Sequence, residues 1–204
     1  MLEALERPAR GEPAGALVLL HGRGADERDL FPLLDAIDPE RRLHGFTPRA
    51  PLSLPPGGAH WYSVPRVGFP DPETFAYGYG ELTAWLDALP FPPGRMLLGG
   101  FSQGAVMSYA SGLGAGRPRP AAIAALSGFL PEVESWSLGA DAPFPPVYAA
   151  HGVHDDVIPI AFGRQARDRL AAAGAEVDWH EFPGGHWVDP ASLPALQELA
   201  ARLG

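Results

Sequence analysis

The chain contains no cysteine, no lysine and no asparagine. Without cysteine there is no thiol nucleophile, disulfide, iron–sulfur cluster or thiolate zinc site. Without lysine there is no Schiff-base chemistry and no phosphate-binding P-loop lysine. Without asparagine there is no N-glycosylation acceptor. No stretch approaches the roughly 20 apolar residues of a bilayer-spanning helix. The opening MLEALERPARGEPAG lacks the apolar segment of a secretory signal. A cytoplasmic protein without stable membrane association is therefore expected. Its 15 cations, all arginine, are outnumbered by 24 carboxylates, giving a net charge of -9. They form no basic cluster, so nucleic acid is not an expected partner.

What is present suffices for one sizeable core. At 204 residues and 46% apolar content, a single domain over 1–204 is expected. Glycine and proline are abundant, yet apolar segments recur evenly from Ala16 to Leu203. The loops, not the whole chain, are expected to carry them. ALVLL (16–20), LHGFTP (43–48), RMLLGG (95–100), AAIAALS (121–127), PVYAAHG (146–152) and EVDWHEF (176–182) read as strands. Between them, apolar residues fall at helical spacing: Phe31, Leu34, Ile37; then Leu82, Trp85, Leu86, Leu89; then Val106, Tyr109, Ala110, Leu113; then Phe162, Ala166, Leu170. Leu193, Leu196, Leu199 and Leu203 mark a last helix, begun near Asp189 and Pro190. Alternating strands and helices predict an α/β fold, a mostly parallel sheet covered on both faces. Sites in such sheets lie beyond the carboxyl ends of the strands.

Three motifs fall at those ends. Gly100-Phe101-Ser102-Gln103-Gly104 fits G-x-S-x-G, a tight strand-to-helix turn that lifts a serine hydroxyl above the sheet. Glycines are needed on either side because side chains there would collide. Asp155 follows the strand ending near His151, with Asp156 as its competitor for a carboxylate that orients an imidazole. His186 follows the strand ending at Phe182, in the flexible loop FPGGHWVDP. The order Ser, Asp, His is that of α/β-hydrolases. Hydrolysis through a serine also needs donors for the oxyanion. Expected are the backbone N–H of Gln103, just after the nucleophile, and that of Arg23 in the loop HGRG. No metal or cofactor is required by such chemistry. Two other readings stay open: a metal-dependent hydrolase using His151, His154, Asp155 and Asp156, and a binding protein of the same fold without catalysis.

The blocks HGRGAD, RAP, GFSQGA, LSGFLP, HG…D…IP and GGH, in this order, resemble the phospholipase/carboxylesterase family of small α/β-hydrolases. That family includes bacterial carboxylesterases and acyl-protein thioesterases. The resemblance runs from about Ala16 to the C-terminus. It implies an α/β-hydrolase fold without a large cap domain and a small-molecule ester or thioester substrate. By position it implies Ser102 as nucleophile, Asp155 as acid, His186 as base, and Arg23 and Gln103 as backbone oxyanion donors. The segment HWYS (60–63) stands where the family carries a Trp-aromatic-Asp element near the acyl pocket. Ser63 replaces that acid, Arg23 replaces a common apolar residue and would charge the pocket's mouth, and Asp156 stands where proline is common. Trp61, Phe69 and Trp187 are expected to line the substrate pocket. About half of the aromatics Trp61, Tyr62, Phe69, Phe75, Tyr77, Tyr79 and Trp187 are expected to be ordinary core. The stretch from His60 to Tyr79 is too short for a cap domain, so an open cleft for short to medium acyl chains is expected. A homodimer is left open.

Overall fold

Apolar runs and helical periods alternate from Ala16 onward in the computed structural model, which describes residues 2–140 and 143–203. Met1, Asp141, Ala142 and Gly204, all inside the expected 1–204 domain, lie outside the described residues. In chain order the elements are β1 (Ala4–Arg7), β2 (Ala16–Leu20), α1 (Phe31–Ile37), β3 (His44–Pro48), β4 (Leu52–Leu54), β5 (Gly58–His60), α2 (Pro72–Asp87), β6 (Met96–Phe101), α3 (Gln103–Leu113), β7 (Ala122–Leu126), β8 (Val147–Gly152), α4 (Ile160–Ala172), β9 (Val177–Phe182) and α5 (Leu193–Ala201). Seven strands form one sheet in the order β1-β3-β2-β6-β7-β8-β9. All its pairs are parallel except β1 on β3.

The sheet is covered on both faces, and the alternation of strand side chains divides the core in two. Val18 and Leu20 pack with Phe75 of α2, Val106 of α3 and Leu170 of α4. Leu17 and Leu19, on the other face, pack with Leu34 and Ile37 of α1 and Leu196 and Leu199 of α5. Every residue of β2 is buried, which is why it reads as an unbroken apolar run.

Two regions extend the sequence reading. The edge strand β1 is added before Ala16. It is held by the buried Arg7, whose guanidinium pairs with Asp38 at 2.8 Å and donates to the carbonyls of Leu34, Asp38 and Leu43. Between β3 and Leu82 the chain forms the hairpin β4–β5 and the start of α2. Asp71 caps α2 by accepting from the Thr74 N–H at 2.9 Å, with Pro72 in the first turn. Helix α2 therefore begins ten residues before Leu82, while Leu89 lies beyond its end. The hairpin is too small to be a cap domain. It docks on the loop after β2, where the Gly24 N–H donates to the Ala59 carbonyl and the Ala59 N–H to that of Ala25. The carboxyl ends of β2, β6, β8 and β9 thus share one end of the sheet, partly walled by residues 49–71.

Candidate active site

Strand β6 delivers Ser102 into a turn at φ 57, ψ -120, a region that side chains rarely occupy. The flanking glycines explain how the turn closes. A methyl on Gly104 would fall on the Leu20 carbonyl, and one on Gly100 would fall on the backbone of Gly104. Helix α3 starts at the next residue, so its free first-turn N–H groups and positive dipole end face the serine.

The loops after β8 and β9 bring Asp155 and His186 to the same point. His186 Nδ1 lies 2.7 Å from Asp155 Oδ2, and its Nε2 lies 2.9 Å from Ser102 Oγ. A carboxylate only accepts, so Nδ1–H donates to Asp155 and the bare Nε2 accepts from the Ser102 hydroxyl. Asp155 is itself fixed: its Oδ1 accepts from the N–H groups of Val157 and Ile158 at 2.9 and 2.7 Å. The Phe101 ring packs on the His186 imidazole, with centroids 4.7 Å apart. Asp156 and His154 are exposed beside this array and do not bond to His186. His151 is buried and turns its Nε2 proton to the Ile158 carbonyl at 2.8 Å, with Asp155 Oδ2 at 3.4 Å. The four residues of the metal reading therefore do not converge on one point. Among the described residues no group of three or more His, Asp or Glu side chains is placed to hold an ion.

The loop after β2 is braced from beneath. His21 is buried, and its Nε2 accepts from the Ala50 N–H at 3.0 Å, so Nδ1–H donates to the Gly22 carbonyl at 2.7 Å. The His21 carbonyl accepts from the Trp61 indole N–H at 2.9 Å. The Gln103 side chain closes the frame: its Oε1 accepts from the Trp61 N–H and its Nε2 donates to the Tyr62 carbonyl. Among the described residues the Arg23 N–H has no protein acceptor. The Gln103 N–H, first in α3, has none within its helix. Neither the bracing role of His21 nor that of the Gln103 side chain was visible in the sequence, since each depends on partners about 30 to 40 residues away.

The sequence matches the phospholipase/carboxylesterase family over residues 4–202. The chain belongs to that family. Among curated relatives, acyl-protein thioesterase 1 of Yarrowia lipolytica is 26% identical over 201 residues, covering 89% of this chain and 88% of that protein. The Neurospora crassa acyl-protein thioesterase 1 is 36% identical over 120 residues, a match spanning 55% of this chain and about half, 48%, of the relative. Among solved structures, esterase PE8 is 27% identical with a TM-score of 0.84, covering 100% of this chain and 99% of its own. The Bacillus cereus carboxylesterase shares the fold with a TM-score of 0.86 at 23% identity, covering 100% and 95%. As a member of the phospholipase/carboxylesterase family, the chain is a serine hydrolase.

In this family member two hollows adjoin Ser102 and His186. One, of about 260 Å³, is lined by Ser102, Gln103 and Arg23 together with Tyr62, Val64, Arg66, Phe69, Phe129, Val157 and Ile158. The other is wider and open, and is lined by His186, Trp187, His154, Asp156 and Val157. Phe69 is thus on the wall of the first and Trp187 on the second. Trp61 is on neither: it is wholly buried, its indole spent on the His21 carbonyl, so it is a prop beneath the site and not the pocket wall expected of it. Tyr62 and Phe75 are also buried, while Tyr77 is exposed. Among the described residues, four of the five exposed large apolar side chains, Val64, Phe69, Val157 and Trp187, ring the two hollows. A separate cleft between the starts of β8 and β9 and helix α5, about 320 Å³, contains none of the candidate residues. Among the described residues no helix is long and apolar enough to cross a membrane.

Two buried imidazoles give the fold an acid dependence. Burial holds His21 and His151 below the ordinary 6.5, and both fold as neutral rings. The unfolded chain protonates them at about pH 6.5. Below that, and down to the lower folded values, the unfolded state binds more protons, so stability falls as pH falls. Thermal unfolding should give a level Tm from about pH 8 to 7 and a decline from about 6.5 downward. The His151→Gln variant should show a shallower decline, and an equal slope would remove His151 as its source.

Proposed function

We propose that this chain hydrolyses carboxylic esters, and thioesters, of short- to medium-chain acids through an acyl-enzyme on Ser102, with residues 1–204 acting as one domain. The observation that carries the reading is the unbroken hydrogen-bonded line from Asp155 through His186 to Ser102, beside two backbone N–H groups with no protein partner. As Oγ attacks the carbonyl carbon, His186 Nε2 takes its proton and Asp155 steadies the imidazolium. The carbonyl oxygen gains negative charge and is received by the N–H groups of Arg23 and Gln103. His186 then gives the proton to the departing alkoxide or thiolate, and water repeats the sequence on the acyl-enzyme. No step draws on a metal or cofactor. The names of the relatives, esterase and acyl-protein thioesterase, support both leaving-group classes. The first hollow, about 260 Å³, lies at the small end of ligand pockets, which supports the acyl-length limit.

A panel of p-nitrophenyl esters and matched thioesters from acetyl to dodecanoyl tests this, together with a fluorophosphonate probe. Turnover peaking at short to medium length, insensitive to a chelator, with the probe found on the Ser102 peptide, is expected. No labelling of Ser102, or activity abolished by the chelator, would overturn the reading.

A further inference from the structure

On the esterase reading above, the two hollows would take opposite ends of the substrate. A leaving group must depart within reach of the proton on His186 Nε2, and His186 lines only the wider hollow. The acyl chain, on the far side of the reacting carbon, therefore runs into the 260 Å³ hollow that holds Ser102 and both N–H donors. Two of that hollow's lining residues are arginines, Arg23 and Arg66, and none is acidic. In a chain of net charge -9 this is a local reversal of sign.

These arginines are also unusual in being unspent. Of the fifteen arginines, twelve bond through the guanidinium to a carboxylate or a carbonyl. Among the described residues only Arg10, Arg23 and Arg66 do not, and two of those three face the same hollow. Arg66 is not a loose surface side chain. It opens a four-residue turn closed by the Phe69 N–H on the Arg66 carbonyl at 3.0 Å, with Gly68 at φ 85. A positive φ at that position of the turn favours glycine. The turn is seated on α4, where a methyl on Gly68 would meet the Phe162 ring. Arg66 Cζ lies over the Phe69 ring, 3.6 Å from its centroid. Stacking fixes the guanidinium plane and leaves its edge N–H groups free to receive a planar anion.

We infer that the acyl group this site accepts ends in a carboxylate, so that the preferred substrates are half-esters or half-thioesters of short dicarboxylic acids, with Arg66 and the Arg23 side chain receiving the distal charge. The inference rests on the esterase reading above and narrows its substrate class. Apolar walls from Val64, Phe69 and Phe129 suit the methylenes between the two carboxyl ends. Charge-assisted bonds from the fork-shaped guanidinium then distinguish the anionic end from a methyl of the same length.

The test compares p-nitrophenyl hexanoate with mono-p-nitrophenyl adipate, which differ only in that terminal group. The wild-type protein should favour the adipate in kcat/KM by about tenfold or more, and the preference should shrink in high salt because both arginines are exposed at the mouth. Arg66→Gln should lower the adipate-to-hexanoate ratio about tenfold through KM, and Arg66→Lys should restore part of it. Arg10→Gln, which removes an equally unpaired charge near Arg41 at the other end of the sheet, should leave the ratio as it was. Ser102-dependent hydrolysis of the hexanoate with no preference for the adipate would overturn the anionic acyl group alone and leave the esterase standing. A preference unchanged by Arg66→Gln would do the same. No turnover of either ester would overturn the esterase reading and this inference with it.

Discussion

Replacing Ser102 by alanine is expected to lower kcat on a short p-nitrophenyl ester by about 10⁵-fold or more. The effect is large because, on the proposed mechanism, Ser102 Oγ is the attacking atom, and the His186 imidazole 2.9 Å from it would then have nothing to deprotonate but water. The two N–H groups remain in place, so a residual rate above that in water is expected from the oxyanion site alone. Binding of substrate should survive, with KM changed far less than kcat. A variant that keeps activity within about tenfold would move the nucleophile elsewhere.

Asp155→Asn is expected to lower the rate by about 10⁴-fold, while Asp156→Asn stays within about twofold of the wild type. In the Asp155→Asn variant the remaining side-chain oxygen would keep the amides of Val157 and Ile158, which hold Oδ1 now, and so turn the new NH₂ toward His186. A donor facing Nδ1 forces the imidazole proton onto Nε2, and Nε2 can then no longer accept from Ser102. Asp156 is exposed and makes no bond to the imidazole, so its charge is largely screened. Measurement of kcat/KM for both variants decides the assignment. The reverse pattern, a crippled Asp156→Asn and a mild Asp155→Asn, would place the orienting carboxylate at 156.

The parallel strands and the ends where the candidate residues sit were legible because they depend on local pattern. A strand buried on both faces must be an apolar run, and a sharp turn after it must have glycine where backbones touch. The parts that were not legible depend on partners far along the chain. β1 is four residues, ALER, and its burial of Arg7 is meaningful only because Asp38 and the carbonyls of Leu34 and Leu43 wait for it. The early start of α2 had a local signal, Asp71 followed by Pro72, which the loop-like composition before it obscured. Trp61 shows the limit most clearly. A tryptophan near a candidate site serves equally as a wall or as a prop, and only the position of the His21 carbonyl and the Gln103 side chain distinguishes the two. Arg66 gave no signal at all beyond a glycine two residues later in its turn.

The backbone of Ser102 has a consequence for how such a chain evolves. At φ 57 and ψ -120 the turn suits glycine, and any side chain there raises the energy of the folded state by on the order of 1 kcal/mol. On the proposed mechanism a change to glycine would relieve that cost but remove the attacking hydroxyl, so selection for hydrolysis must hold serine at 102. A lineage released from that selection would be expected to lose its hydroxyl here early and become more heat-tolerant as it did so, leaving an inert protein with the sheet, both hollows and the Arg66 turn unchanged.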